Sequence, residues 1–459
     1  MRKLILAFAL ACPALFAALP ADAVFEVRPT NGSNLNGGAY AASLAGGASV
    51  DYSQQDAAQL SITDLVNVGD VATVTSVAGS FTDAMQGNFL HLESGTNVTP
   101  GFYAIVTFTD ANTIVLDRSP GNTIAAGVGK IGGATKSLSG QTTTTLAASL
   151  LSGHKVWIKN EAWNESVTGF ATIAANDAAC VVEGYNTTRG DEPTGTSRPT
   201  NDRGAAGVPF TCAGGMYVFK HLVATDSNGV GWLVQTASGA RLINCRSYGN
   251  VSTGFTLSAT CALQNCEADL NTTTGVTTTT SPVLFGCYIH DNTTNGFSAA
   301  SSVVPTLLFC IIETNASHGL SGTTGMFGVY NCTINGNTGV ATDGINMTTP
   351  GNSLYRMFNT IISNNGDDGV EATDGDNALV DYNNFYGNAG SARVNFPTGE
   401  NDIALDPTFT NAAGGNFAVG TNMKAAGFPG LFPSGTSTGY LDIGAVQRQE
   451  GGGATSCPF

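Results

Sequence analysis

Charge is scarce in this chain of 459 residues: 11% are Asp, Glu, Lys or Arg, against ~25% in an ordinary soluble domain. Basic residues are scarcer still, 18 against 34 acidic, giving a formal charge of −16. Such a surface repels a polyanion on average, which argues against sequence-general nucleic-acid binding. The Ala-, Glu- and Lys-rich composition of helical bundles and coiled coils is missing. Beyond Leu19 no apolar run reaches the ~20 residues of a membrane-spanning helix, and no C-terminal anchor signal is found. A P-loop, an H-E-x-x-H pair and a dinucleotide glycine fingerprint in strand–helix context are absent, so the chemistries they carry are not expected.

The opening residues carry a different signal. Arg2 and Lys3 precede the apolar run Leu4–Leu19, and Ala21-Asp22-Ala23 supplies small residues ahead of Val24. That order predicts a secretory signal peptide over residues 1–23 and a secreted, extracellular or cell-surface product. Cleavage removes Cys12 from the ten cysteines and leaves nine. An odd number in an exported protein implies at least one free thiol or an intermolecular bond.

What the chain has in plenty is glycine, 58 residues, together with a repeat. Cys245, Cys266, Cys287, Cys310 and Cys332 follow one another at intervals of 21, 21, 23 and 22 residues. A fixed period in that range marks a solenoid, one turn per repeat. Gly254, Gly275, Gly296 and Gly319 each stand nine residues after a cysteine, and Phe255, Val276, Phe297 and Leu320 follow them. Thr360 to Gly369 and Lys220 to Gly229 keep the same offset without a cysteine. Strand-like triplets separated by Asn, Gly, Asp and Thr, as in Asn331-Cys332-Thr333-Ile334-Asn335-Gly336-Asn337, suit short strands joined by turns that tolerate left-handed backbone.

The expected fold is therefore all-β. A right-handed parallel β-helix, a solenoid of ~10 rungs rising ~4.8 Å each, is expected over residues 141–400. A small N-terminal β-rich module precedes it over 24–140, and a C-terminal capping segment and tail follows over 401–459. The cysteines then stack as an inward column of buried, unpaired thiols. Asn244, Asn265 and Asn331, just before three of them, are expected to form an amide ladder along the axis. Leu146–Leu151 reads as a short helix over the first rung. Gly184–Pro209, with Arg189, Arg198 and Arg203, reads as an exposed appendage.

Over roughly residues 145–450 the repeat resembles the pectate-lyase-like superfamily of right-handed parallel β-helix proteins. Leu405-Asp406-Pro407-Thr408-Phe409, Gly414-Gly415-Asn416-Phe417 and Leu441-Asp442-Ile443-Gly444-Ala445-Val446-Gln447 are similar to the closing segment of large secreted bacterial β-helix proteins. The superfamily includes pectate and alginate lyases, polygalacturonases, epimerases, phage tailspikes and adhesins. The resemblance implies the fold and leaves the activity open.

One column of the repeat carries candidate chemistry. The residue before each repeat glycine runs Thr253, Thr274, Asn295, His318, Asp343, Asp368, with Asp367 beside the last and Arg393 one rung on. Neighbouring carboxylates raise one another's pKa, as a general acid beside a general base requires. Thr342-Asp343-Gly344-Ile345, Asp367-Asp368-Gly369-Val370 and Ser317-His318-Gly319-Leu320 resemble strings of polygalacturonases. That resemblance implies a catalytic set of Asp343, Asp367, Asp368, His318 and Arg393. The same residues also read as turn caps ahead of a glycine-started strand. Asp374, Asp376 and Asp381, near Glu371, form an acidic stretch able to hold calcium or simply to face solvent; no other cofactor is expected. Tyr288, Phe297, Phe309 and Tyr330 read as core or as sugar-stacking rings. The function expected is a rigid face for polysaccharide or cell-surface glycan, without catalysis. A polysaccharide hydrolase or lyase using the stacked carboxylates is the alternative, and a structural, adhesive or phage-like appendage is a second one. The oligomeric state is left open.

Overall fold

The computed structural model describes residues 19–428 and 441–447, apart from 143, 175–176, 236–238, 301–302, 323–326, 348–354 and 374–376. The bulk of the expected leader, residues 1–18, lies outside them. The chain forms two compact units: residues up to Phe25 with Leu35–Thr135, and Glu26–Asn34 with everything from Lys136 onward. Among the described residues no helix is long and apolar enough to cross a membrane.

The first unit is the expected β module, and it closes on itself. Its six strands run antiparallel in the spatial order Leu60–Leu65, Ala125–Ile131, Phe89–Thr96, Gly101–Asp110, Thr113–Leu116, Thr73–Thr75. Val66 and Thr75 then exchange both backbone hydrogen bonds at 2.9 Å, joining the last strand to the first. Closure leaves no open sheet edge. Alternation along the strands turns Ile62, Leu90, Leu92, Ile105, Ile114 and Ile131 into one buried core.

The second unit is the solenoid. Each turn contributes one short strand to each of three parallel sheets. The first sheet stacks ten strands of this unit, from Lys155–Lys159 to Leu379–Asp381. The second runs from Thr200–Ala206 to Asn384–Tyr386, and the third from Phe210–Cys212 to Arg393–Val394. Register is kept turn after turn because like residues stack. Leu242, Leu263, Leu284, Leu307, Val329 and Met357 pair in sequence inside the first sheet. Ala268, Ile289, Ile312, Ile334 and Ile362 do so inside the second. Burying one such aliphatic side chain contributes ~1.5–3 kcal/mol, so a one-residue slip, which would turn every one of them outward, is strongly disfavoured.

The two tight corners explain the repeat. Between the first and second sheets the backbone turns through left-handed residues, among them Asn244 (φ +53°), Asn265 (+50°), Asn331 (+52°) and Asn359 (+54°). These asparagines are there for their conformation and do not form the axial ladder expected of them. That ladder stands at the next corner, after the second sheet, and comprises Asn250, Asn271, Asn292, Asn315, Asn337, Asn365 and Asn388. Each of the first six donates both its backbone N–H (3.1–3.2 Å) and its Nδ2 (2.8–3.0 Å) to the Oδ1 of the next. The repeat glycine lies directly over this ladder. A Cβ on Gly296 would sit 2.6 Å from Ile312 Cγ2 and 2.8 Å from both Asn315 Nδ2 and Gly319 O, so nothing larger fits.

The five cysteines do thread into a line. Pairing of Arg246 with Glu267, Glu267 with Tyr288, Tyr288 with Ile311 and Ile311 with Thr333 puts the preceding cysteines in register on successive turns. All five are free and buried, and Thr360 continues the column, its Oγ1 3.5 Å from the Cys332 N–H.

One further expectation needs correcting. Gly184–Pro209 is not an appendage: Thr200–Ala206 is the first strand of the second sheet. Arg198 is buried against Asn244 O (3.0 Å) and Glu267, and Arg189 pairs with the buried Glu26 at 2.7 Å. The tail after residue 400 also does more than cap. Ile403 extends the second sheet by one rung beside Asn383–Phe385. The chain then folds back over the outside of that sheet, where Phe417, Val419, Met423 and Ile443 cover Ile311 and Ile361. The expected helix does form, over Leu146–Ser149, capped by the Thr145 hydroxyl.

Candidate functional site

At the corner leading into the third sheet, His318, Asp343 and Asp368 stand before the repeat glycine on successive turns, with Asp367 beside the last. Carboxyl oxygens of Asp343, Asp367 and Asp368 lie within 4.8 Å of one another. Such a set could hold a cation. His318 Nδ1 is 3.4 Å from Asp343 Oδ2. The hydrogen bonds show what these side chains do for the fold. His318 Nδ1 accepts the Asp343 N–H (3.0 Å), Asp343 Oδ1 accepts the Asp368 N–H (3.1 Å), and Asp368 Oδ1 accepts the Ser391 N–H. Each side chain takes the backbone donor of the equivalent residue one turn on. Asp343 is 2% exposed, and its second oxygen takes Asn346 Nδ2 at 2.6 Å.

His318 therefore carries its ring proton on Nε2, because Nδ1 is an acceptor. Burial lowers its pKa, with Asp343 acting in the opposite sense. Glu371, on the next turn, shares Asn346 Nδ2 with Asp343 at 3.1 Å. Burial, then the charges of Asp343 and Asp368, push its carboxyl up.

Arg393 is not gathered into this group. Its position pairs with the core residue Val370, so its side chain turns inward, lies 3.8 Å over the Phe385 ring and binds Asp402 at 2.6 Å. It closes the end of the solenoid. Of the calcium candidates, Asp374 and Asp376 lie outside the described residues. Asp381 accepts hydrogen bonds from Asn401 N (2.7 Å), Asn401 Nδ2 (3.0 Å) and Tyr382 N (3.0 Å), fastening the loop that follows the last rung.

The outer faces carry two clusters, of which the sequence reading reached only Tyr288, Phe309 and Tyr330. On the second sheet, Arg246 clasps Asp269 through two bonds (2.8 and 2.6 Å) and meets Glu267 at 3.3 Å. His290 stacks on Tyr288 and lies 3.5 Å from Glu267 and 2.8 Å from Asp291. Burial would lower the His290 pKa, but bonds to Glu267 and Asp291 leave it raised.

The first sheet carries rings on its outer face. Phe285, Leu308, Tyr330, Phe358 and Asp381 are successive register partners. Phe309 packs edge-on against Phe285 at 5.5 Å, Tyr330 and Phe358 lie parallel at 6.2 Å, and Phe428 bridges Phe358 and Tyr382. Phe285, Val283 and Phe428 are each 42% exposed and Leu379 54%. Exposed apolar area of this kind marks an interaction site more often than chance would leave it. Tyr288 and Phe297, by contrast, belong respectively to the second-sheet network and the core. Both clusters were legible in principle. The ring column takes in Phe285 and Tyr330, two residues before Cys287 and Cys332, and the charged column lies one and three residues after the cysteines.

A family model described as right handed beta helix region matches residues 276–425. Comparison with curated proteins gave no match. Among solved structures the chain is similar to the pectate lyase Pel9A, at 14% identity and TM-score 0.46, covering 66% of this chain and 90% of that one. It is also similar to the A-module of the mannuronan C-5 epimerase AlgE4 of Azotobacter vinelandii, at 15% identity and TM-score 0.31, covering 55% and 81%. A third is the catalytic domain of a GH87 alpha-1,3-glucanase, at 12% identity and TM-score 0.30, covering 76% and 86%. The family match together with the turn-by-turn register makes the second unit a right-handed parallel β-helix.

Proposed function

We propose that this is an exported glycan-binding protein that holds a linear polysaccharide along the outer face of the first sheet and does not cleave it. The observation that carries this reading is a stripe of half-exposed rings over five turns, Phe285, Tyr330 and Phe358 on the sheet face and Phe309 and Tyr382 at the adjoining corner. At ~4.8 Å per turn the line is ~19 Å long. Rings fixed at a constant repeat on a rigid sheet suit a linear polymer with repeating apolar sugar faces, and they lose little side-chain entropy on binding. Polar neighbours on the same face, Gln264, Thr306 and Asp381, can take its hydroxyls. The carboxylate column supports the non-catalytic part of the reading, since Asp343 is buried with both oxygens engaged and Asp368 caps the next turn.

The test is retention on pectate, polymannuronate and α-1,3-glucan, the glycan classes named for the three solved neighbours, by affinity electrophoresis. Tyr330→Ala and Phe358→Ala should each weaken binding about tenfold, the equivalent of ~1.4 kcal/mol per stacking ring. Val340→Ala, on an exposed corner away from the first sheet, should leave it unchanged. Full retention by the double ring variant would refute the assignment.

A second reading has one observation in its favour. Glu371, its carboxyl pushed up by burial and then by the charges of Asp343 and Asp368, has the character of a general acid. On that reading the protein is a polysaccharide hydrolase or lyase working at Asp343, Asp367, Asp368 and His318.

A further inference from the structure

The thiol column has a geometry that filling a core does not require. Cys245, Cys266, Cys287, Cys310 and Cys332 are 0–2% exposed. They stand in register on consecutive turns, with the N–H after each one bonded to the carbonyl of the cysteine one turn earlier at 2.9 Å (Glu267 to Cys245, Tyr288 to Cys266, Ile311 to Cys287, Thr333 to Cys310). Beyond one another, their S–H groups meet carbonyls of the preceding turn or of the residue two positions before, at 3.3–3.7 Å. The column therefore repeats at one strand spacing, ~4.7–4.9 Å per turn. A bond from thiolate sulfur to a transition metal is ~2.3 Å. Two such bonds laid end to end therefore span one turn of the solenoid.

We infer that the column is a binding site for a soft, linearly coordinated metal ion, two thiols to each ion, with the S–metal–S axis parallel to the solenoid axis. Soft thiolates select soft ions. The dry surroundings further select an ion that leaves no net charge, because an unpaired buried charge is heavily disfavoured. A divalent soft ion meets both conditions. Mercuric ion takes two thiols, displaces both protons to water and forms two Hg–S bonds with no change of oxidation state, leaving a neutral bis-thiolate. A disulfide fits the same column less well, since its β-carbons want ~3.8 Å where stacked turns hold them nearer the strand spacing. A tetrahedral ion such as zinc would need four sulfurs around one point, and a line cannot supply them.

Five thiols in a line make two adjacent pairs with one left over, and this gives a test by position. The full chain is refolded with mercuric chloride and dialysed against a competing small thiol, and retained mercury is counted; far-UV circular dichroism confirms folding. Removing the second or fourth thiol, by Cys266→Ala or Cys310→Ala, isolates a neighbour and should lower the count by one ion relative to the parent. Removing the first, third or fifth, by Cys245→Ala, Cys287→Ala or Cys332→Ala, leaves two intact pairs and should not change it. Serine variants at the same positions give the same comparison if alanine impairs folding. X-ray absorption should show two sulfur neighbours per mercury. An equal loss for all five positions, or no ion retained against the competitor, would overturn the assignment.

Discussion

Replacing Asn315 with alanine tests the corner ladder on which every turn depends. Asn315 is fully buried, and its Oδ1 accepts the Asn292 N–H at 3.2 Å and Asn292 Nδ2 at 2.9 Å. Its own Nδ2 donates to Asn337 Oδ1 (3.0 Å), Glu313 O (2.9 Å) and Ile289 O (3.2 Å). Truncation leaves the buried Asn292 N–H without that acceptor, which costs about 1–3 kcal/mol, and removes further bonds worth about 1 kcal/mol each. Counting the Asn292 Nδ2 bond and two donations from Asn315 Nδ2, a total of ~4–6 kcal/mol is expected. Solenoid stability is carried by contacts between adjacent turns, so the loss should be local. In hydrogen exchange read by mass spectrometry, peptides over residues 288–297 and 311–319 should lose protection by that amount, while strands near Val156 keep theirs. The exposed Asn422→Ala should change little. A change under ~1 kcal/mol, or protection lost evenly along the chain, would refute the reasoning.

The network on the second sheet makes stability depend on pH. Burial opposes ionisation of Glu267, but His290, Arg246 and Arg198 outweigh it and hold the carboxyl below its ordinary value. Its contribution is present above the unfolded pKa of ~4.3 and is lost as pH falls through the lower folded value. His290 is raised, so its contribution is full below ~6.5 and fades as pH rises through the folded value. The urea midpoint of the parent should exceed that of His290→Gln most near pH 5.5 and converge with it above pH 8; a gap that widens with pH would contradict the assignment. Arg393→Ala should free the segment that follows the last rung, leaving the 2%-exposed Asp402 side chain short of its cation. A cost of ~1–3 kcal/mol and new protease cleavage between residues 395 and 405 are expected, and unchanged proteolysis would argue against the capping role.

The solenoid was readable because its cause is periodic. Cysteine, glycine and an apolar residue recur at fixed offsets, and stacking like on like leaves one register that buries them all. What misled was local. Asparagine precedes the cysteines and also ends the second-sheet turns, and sequence alone does not distinguish an asparagine kept for left-handed backbone from one kept for its amide. Asp343 and Asp368 read equally as catalysts and as corner acceptors until the hydrogen bonds to the next turn were seen. Arg393 fell out of the candidate site because the strand at 393–394 pairs with Val370 in a core register, and the parity of one short strand decides which way a side chain points. The ring stripe was legible only at Phe309 and Tyr330, because its position in the repeat holds Ile243, Gln264 and Leu308 on other turns. The fold-back of the tail has no repeat to announce it; Ile311 and Ile361, apolar where neighbouring turns are polar, were its trace.

Binding without turnover is the claim on which the functional account stands, and one incubation tests it. The purified chain is mixed with pectate, polymannuronate or α-1,3-glucan, and retention, new reducing ends and unsaturated ends are measured on the same sample. The account predicts retention on at least one glycan with no product above that of the buffer. Release of products by the parent chain that disappears in Asp368→Asn, while the variant still folds and is still retained, would contradict it.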